Sequence, residues 1–132
     1  MGENIMLYLC DTCILIDYLR GNQEVQKKLL YDRQYGLGMS AITYMELMVG
    51  ALNKHEISII KKAFADIQII EFSEYISAKS RMLIEQFSKS HGLLIPDAII
   101  AATAMINKIP LYTANIKDFH FIPDLELIPL RY

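Results

Sequence analysis

Apolar and polar positions along this chain fall into blocks whose period switches repeatedly between that of a strand and that of a helix. Residues 6–10 are a short continuous apolar run that reads as a buried strand. A short helix follows over 14–20, stopped by Gly21-Asn22, and then an amphipathic helix over 24–33. In the second helix Val25, Leu29 and Leu30 lie on one face, with Lys27, Lys28 and Arg33 outside it. Residues 36–39 predict a short strand, and Ser40 stands as the N-cap of a helix over 41–52. That helix is apolar nearly all round and is therefore expected to be buried.

Residues 55–65 predict another amphipathic helix and 68–72 another strand. Ser73 caps a long helix over 74–90, which Gly92 ends by taking the left-handed conformation. Pro96 suits the first position of the next helix, whose body over 98–106 is again apolar on every side. A strand at 110–113, a loop or single turn at 114–121 and a last strand at 127–130 complete the pattern. This alternation predicts one α/β domain over residues 1–132, a three-layer α/β/α arrangement with helices on both faces of a mostly parallel sheet of about five strands.

Composition narrows the function classes. With 53% apolar and 21% charged residues the 132-residue chain is globular rather than disordered. Its net charge of −2 weighs against a wholly basic nucleic-acid footprint, so a polyanionic substrate would need cations. Met1-Gly2-Glu3-Asn4 supplies no positive leader, Asp11 and Asp17 interrupt the first apolar run, and Met6 stands where a myristoylation signal needs Ser or Thr. A cytoplasmic protein without a membrane span is expected. Cys10 and Cys13 form a C-x-x-C, but Asp11 lies between them and His55, His91 and His120 are scattered. Two buried thiols are therefore expected rather than a redox pair or half of a zinc site.

Three carboxylates stand out against this background. Asp11 ends the first strand, with no Lys, Arg or His beside it; Glu46 is the only charged residue between Arg33 and Lys54, and Asp97 the only one between His91 and Lys108. Each has a structural explanation: Asp11 as a helix cap, Asp97 at the favourable end of a helix dipole, Glu46 on a slightly exposed helix face. Together they suit a single site. Ligands of open parallel sheets bind beyond the carboxyl ends of the strands, where Asp11, Ser40 and the Thr113-Ala114-Asn115 loop are all expected. Oxygen donors without basic partners call for a hard divalent cation such as Mg²⁺ or Mn²⁺.

Four segments carry a resemblance to PIN-domain nucleases, specifically VapC-type toxins. They are Leu9-Cys10-Asp11-Thr12-Cys13-Ile14-Leu15-Ile16-Asp17, Ser40-Ala41-Ile42-Thr43-Tyr44-Met45-Glu46-Leu47, Pro96-Asp97-Ala98-Ile99-Ile100-Ala101-Ala102-Thr103-Ala104 and Thr113-Ala114-Asn115-Ile116-Lys117-Asp118-Phe119. The resemblance implies a PIN-like fold and a metal-dependent endoribonuclease that leaves 5′-phosphate and 3′-hydroxyl ends. It also implies a cognate antitoxin and, often, a homodimer. Asp11, Glu46 and Asp97 match the family's acidic metal site, with Thr113 and Thr12 supporting it. Asn115 stands where many members have a fourth Asp, which leaves Asn115 and Asp118 both as candidates to complete the site. Cys13 replaces the usual Ser or Asn, and Asp17 reads as a solvated helix position.

A Mg²⁺- or Mn²⁺-activated water attacking the phosphodiester in line is the expected chemistry. Lys27, Lys28, Lys61 and Lys62 are candidates for holding the RNA backbone. The alternatives are a PIN nuclease of RNA processing that has no antitoxin, a thiol oxidoreductase using Cys10 and Cys13, and a non-catalytic binding module. A serine hydrolase is disfavoured because Gly38-Met39-Ser40-Ala41-Ile42 lacks the second glycine of a nucleophile elbow.

Overall fold

The computed structural model describes residues 6–130. Five short strands form one parallel sheet: β1 (Tyr8–Cys10), β2 (Leu37–Ser40), β3 (Gln68–Ile70), β4 (Leu111–Thr113) and β5 (Leu127–Pro129), in the order β3-β2-β1-β4-β5. The helices are α1 (Thr12–Leu19), α2 (Gln23–Asp32), α3 (Ala41–Gly50), α4 (Lys54–Ala63), α5 (Glu74–His91) and α6 (Ile95–Asn107). Single 3₁₀ turns at Arg33–Tyr35 and Ile116–Asp118 follow α2 and β4. The sheet is parallel throughout.

Strand alternation divides the core. Tyr8, Cys10 and Tyr112 point into a layer with Ile14, Leu15, Val25 and Leu29 from α1 and α2, while Leu9 and Leu111 point into a layer with Leu83 of α5 and Ala98, Ala101 and Ala102 of α6. Small alanines on α6 let that helix lie close to the sheet. Each expected cap forms: Ser40 and Ser73 accept backbone N–H groups of α3 and α5, and Gly92 ends α5 at a φ of 70°. Among the described residues no helix is long and apolar enough to cross a membrane.

Two burial expectations fail. α3 is not enclosed: only Ala41, Thr43 and Leu47 are buried, while Val49 is 86% exposed and Leu52, just beyond it, 85%. The helix packs on α1, α6 and α4, which leaves one of its apolar sides outside the layers. Leu30, assigned to the inner face of α2, is 58% exposed, because Val25 and Leu29 alone fill the space against the sheet.

Candidate metal centre

β1 and β4 are neighbours, yet the chain leaves their carboxyl ends in opposite directions across the sheet, toward β2 on one side and β5 on the other. This is where an open α/β sheet presents its binding crevice. Asp11 follows β1 there and is only 4% exposed. Its Oδ1 accepts the backbone N–H of Thr12 at 2.8 Å, so the residue is both helix cap and crevice carboxylate. Oδ2 accepts the Thr113 hydroxyl at 2.7 Å and the Cys13 thiol at 3.3 Å.

These donors stand in for water around a desolvated charge. Burial still pushes the Asp11 carboxyl above its ordinary range, against the pull of the Thr113, Cys13 and Thr12 bonds, and the charge of Glu46 adds to the rise. Cys13 is pushed up to about 12, first by burial and then by Asp11, so its thiol stays protonated and donates. Cys10 is raised by burial as well, and both cysteines are free. Neither is the accessible thiolate that an oxidoreductase requires.

Glu46 sits in the second turn of α3. Its Oε1 accepts the Thr12 hydroxyl at 2.7 Å, and Thr12 Oγ1 also lies 2.9 Å from Thr43 Oγ1. Asp97 occupies the first turn of α6, a helix whose N-cap residue Leu94 offers no side-chain acceptor. Its carboxyl is raised to about 6, by burial first and then by the charges of Asp11, Asp118 and Glu46. The four acids therefore share one electrostatic neighbourhood. Asp118, exposed on the 3₁₀ turn, belongs to it; Asn115 contributes its backbone N–H to Thr113 Oγ1 at 2.9 Å.

Among the described residues no three or more His, Cys, Asp or Glu side chains are grouped so that they could hold a metal ion as they stand. The donor set nonetheless fits a hard cation: carboxylate oxygens, mutually repelling, beside a thiol that stays protonated. Mg²⁺ in particular keeps several waters and takes one or two carboxylates, so it needs no closed protein cage.

The basic candidates lie elsewhere. Lys28 is committed to Asp32 at 2.9 Å and sits over the rings of Tyr8 and Tyr112. Lys27 is exposed, and Lys61 and Lys62 line an open cavity of about 420 Å³ with Lys54. Asp17 is half-buried in α1. Thr43 had no assigned part from the sequence, its signal being its position three residues before Glu46 on the same helix face, whereas Cys13, in place of the usual Ser or Asn, donates to Asp11 from two residues further along the chain.

The fold and this crevice define a class, and the chain belongs to the PIN-domain family, whose model matches residues 8–122. Within that family it is similar to the VapC ribonucleases. Ribonuclease VapC1 of Methanocaldococcus jannaschii is 32% identical over 122 residues, covering 90% of this chain and 83% of the relative. A toxin-antitoxin complex from Klebsiella pneumoniae contains a chain 35% identical, with a TM-score of 0.75 and coverage of 92% of this chain and 95% of that one. VapBC2 from Rickettsia felis, bound to a DNA fragment from their promoter, matches at 25% identity and a TM-score of 0.83, covering 96% and 100%.

The raised Asp97 carboxyl has a thermodynamic consequence. A folded-state value of about 6 exceeds the unfolded value near 4, so the ionised form opposes folding. Destabilisation grows as pH rises through about 4 and levels off above about 6. Asp97→Asn should therefore stabilise the metal-free protein at pH 7.5 by about 1 kcal/mol after solvent screening, read as a higher melting temperature, and should have little effect below pH 4. Thermal unfolding in EDTA across pH checks this. A lower melting temperature for the variant at pH 7.5 would show that the favourable helix dipole outweighs the repulsion.

Proposed function

We propose that this chain is a Mg²⁺- or Mn²⁺-dependent endoribonuclease, the toxin of a toxin-antitoxin pair, working in the cytoplasm as a homodimer of single nuclease domains that each span residues 1–132. The observation that carries the reading is Asp97, raised by burial and by three other carboxylates brought from separate elements of the chain. Such a cluster strains the metal-free protein and is relieved by a divalent cation.

Asp11, Glu46 and Asp97 would hold the ion, and Asp118 rather than Asn115 completes the acidic set. When bound, the ion supplies Lewis-acid stabilisation of the phosphodiester's developing charge and lowers the pKa of the attacking water. The chain's own part is orientation. Thr113 and Thr12 fix Asp11 and Glu46 through hydrogen bonds of 2.7 Å each, so these carboxylates need little reorganisation as charge develops. Lys61 and Lys62, beside Lys54, and the exposed Lys27 are better placed to hold RNA phosphates than Lys28, whose charge is engaged with Asp32. The toxin assignment is supported by the Klebsiella pneumoniae and Rickettsia felis complexes, which favour it over an RNA-processing nuclease without an antitoxin.

RNA cleavage should require added Mg²⁺ or Mn²⁺, stop in EDTA, and fall by at least about 100-fold in Asp11→Asn, Glu46→Gln and Asp97→Asn. Undiminished cleavage in EDTA by purified protein would end the metal mechanism. Expressed alone, the wild-type chain should arrest growth, the Asp97→Asn variant should not, and co-expressed antitoxin should restore growth by covering the acidic groove. Equal toxicity of wild type and variant would remove the catalytic explanation.

A further inference from the structure

We infer that the outer face of His91 is a stacking platform for a nucleobase of the RNA next to the scissile phosphodiester; the inference rests on the ribonuclease reading proposed above. His91 is the last residue of α5 and is exposed. Its ring lies flat on Phe121, with centroids 4.3 Å apart and planes 13° from parallel. Phe87, one turn back in α5, is 5.7 Å from His91 and 5.2 Å from Phe121.

These distances decide which aromatic face is free. Centroids separated by 4.3, 5.2 and 5.7 Å form a nearly equilateral triangle, so Phe87 stands beside the stacked pair and not on top of it. The opposite face of the imidazole carries neither ring, and the residue stays exposed. Ser90 Oγ lies 2.8 Å from Nδ1 and, with Phe121, holds the ring in place. A base landing there meets a ring already fixed, which has little side-chain entropy left to lose.

The place matters as much as the ring. Gly92, at a φ of 70°, turns the chain out of α5, and three residues lead from His91 into α6, whose first turn carries Asp97. Phe121 lies three residues after Asp118, so their Cα atoms are at most about 11 Å apart. The segment is folded tighter than that limit, with His120 N–H donating to Ile116 O at 2.9 Å. The charge of Asp118 acts on Asp97, so the stack joins the two segments that bring these acids to the crevice. Each segment also carries an exposed lysine, Lys89 and Lys117, which suits a polyanion. Single-stranded RNA splays its bases onto such rings.

The scissile bond of an RNA oligonucleotide is first mapped with the wild type and Mn²⁺. Then kcat and KM are measured for His91→Ala, which removes the ring, and for His91→Phe, which keeps an aromatic face without the charge. The nucleotides flanking the bond are also replaced, one at a time, by abasic residues. His91→Ala should raise KM about tenfold with kcat unchanged, while His91→Phe stays close to wild type. One abasic position should raise the wild-type KM by a similar factor and add nothing in His91→Ala, because the contact is already gone.

Wild-type KM in His91→Ala, with cleavage still metal-dependent, would overturn this inference and leave the nuclease standing. Failure of the wild type to cleave any RNA in Mg²⁺ or Mn²⁺ would instead overturn the nuclease reading, and this inference with it. A loss of kcat without a rise in KM would assign the ring to holding Asp97 and Asp118 in place, and equal impairment of His91→Phe and His91→Ala would assign it to charge; either result overturns the stacking role. If His91→Ala does not fold, the abasic series tests the contact in the unaltered protein, and an unchanged KM at every flanking position is equally fatal.

Discussion

Everything at the crevice depends on keeping a carboxylate, Asp11, in a place from which water is almost excluded. An unpaired charge there would cost several kcal/mol, and among the described residues no cationic side chain bonds to it. The compensation comes instead from neutral donors: the Thr113 hydroxyl across the β1–β4 junction, the Thr12 backbone N–H and the Cys13 thiol. The donor from β4 is separated from Asp11 by 102 positions in sequence, so the carboxylate can be held only once the central pair of strands has formed. Fold and site are thus the same event.

Neutral donors lower the penalty without cancelling the negative charge, and this leaves the cluster short of a cation. Glu46 from α3, Asp97 from α6 and Asp118 from the turn after β4 add to the deficit, each delivered by an element that starts at the carboxyl edge of the sheet or near it. A protein built for stability alone would pair these acids with Lys or Arg. The ion pairs found among the described residues serve other acids: Lys28 engages Asp32, and Arg33 bridges to Asp66 at 2.8 Å. The strain is the physical basis for reading the crevice as a cation site.

Much of this was legible in the sequence because it is written in local chemistry. Period changes, caps at Ser40 and Ser73, and Gly92 after α5 locate the elements, and isolated acids in apolar surroundings mark Asp11, Glu46 and Asp97. What escaped depends on contacts between elements. A helix as nearly all-apolar as α3 reads as buried whether its outer side meets protein or solvent, and Val49 shows that it meets solvent. Where Asn115 and Asp118 lie relative to the crevice depends on the 3₁₀ turn at Ile116–Asp118, and the Thr43–Thr12 contact on how α3 lies against α1. No spacing rule supplies such distances.

On the proposed reading, the carboxylates of Asp11 just after β1, Glu46 on α3 and Asp97 on α6 share a divalent-cation site. The most direct measurement is a crystal structure of the wild-type protein with millimolar Mn²⁺, using the ion's anomalous scattering to place it. The account predicts one or two anomalous peaks in the crevice, within about 2.2 Å of carboxylate oxygens of Asp11 and Asp97 and bridged to Glu46 directly or through water. Manganese bound only away from these side chains, or absent from the crevice at that concentration, would contradict it.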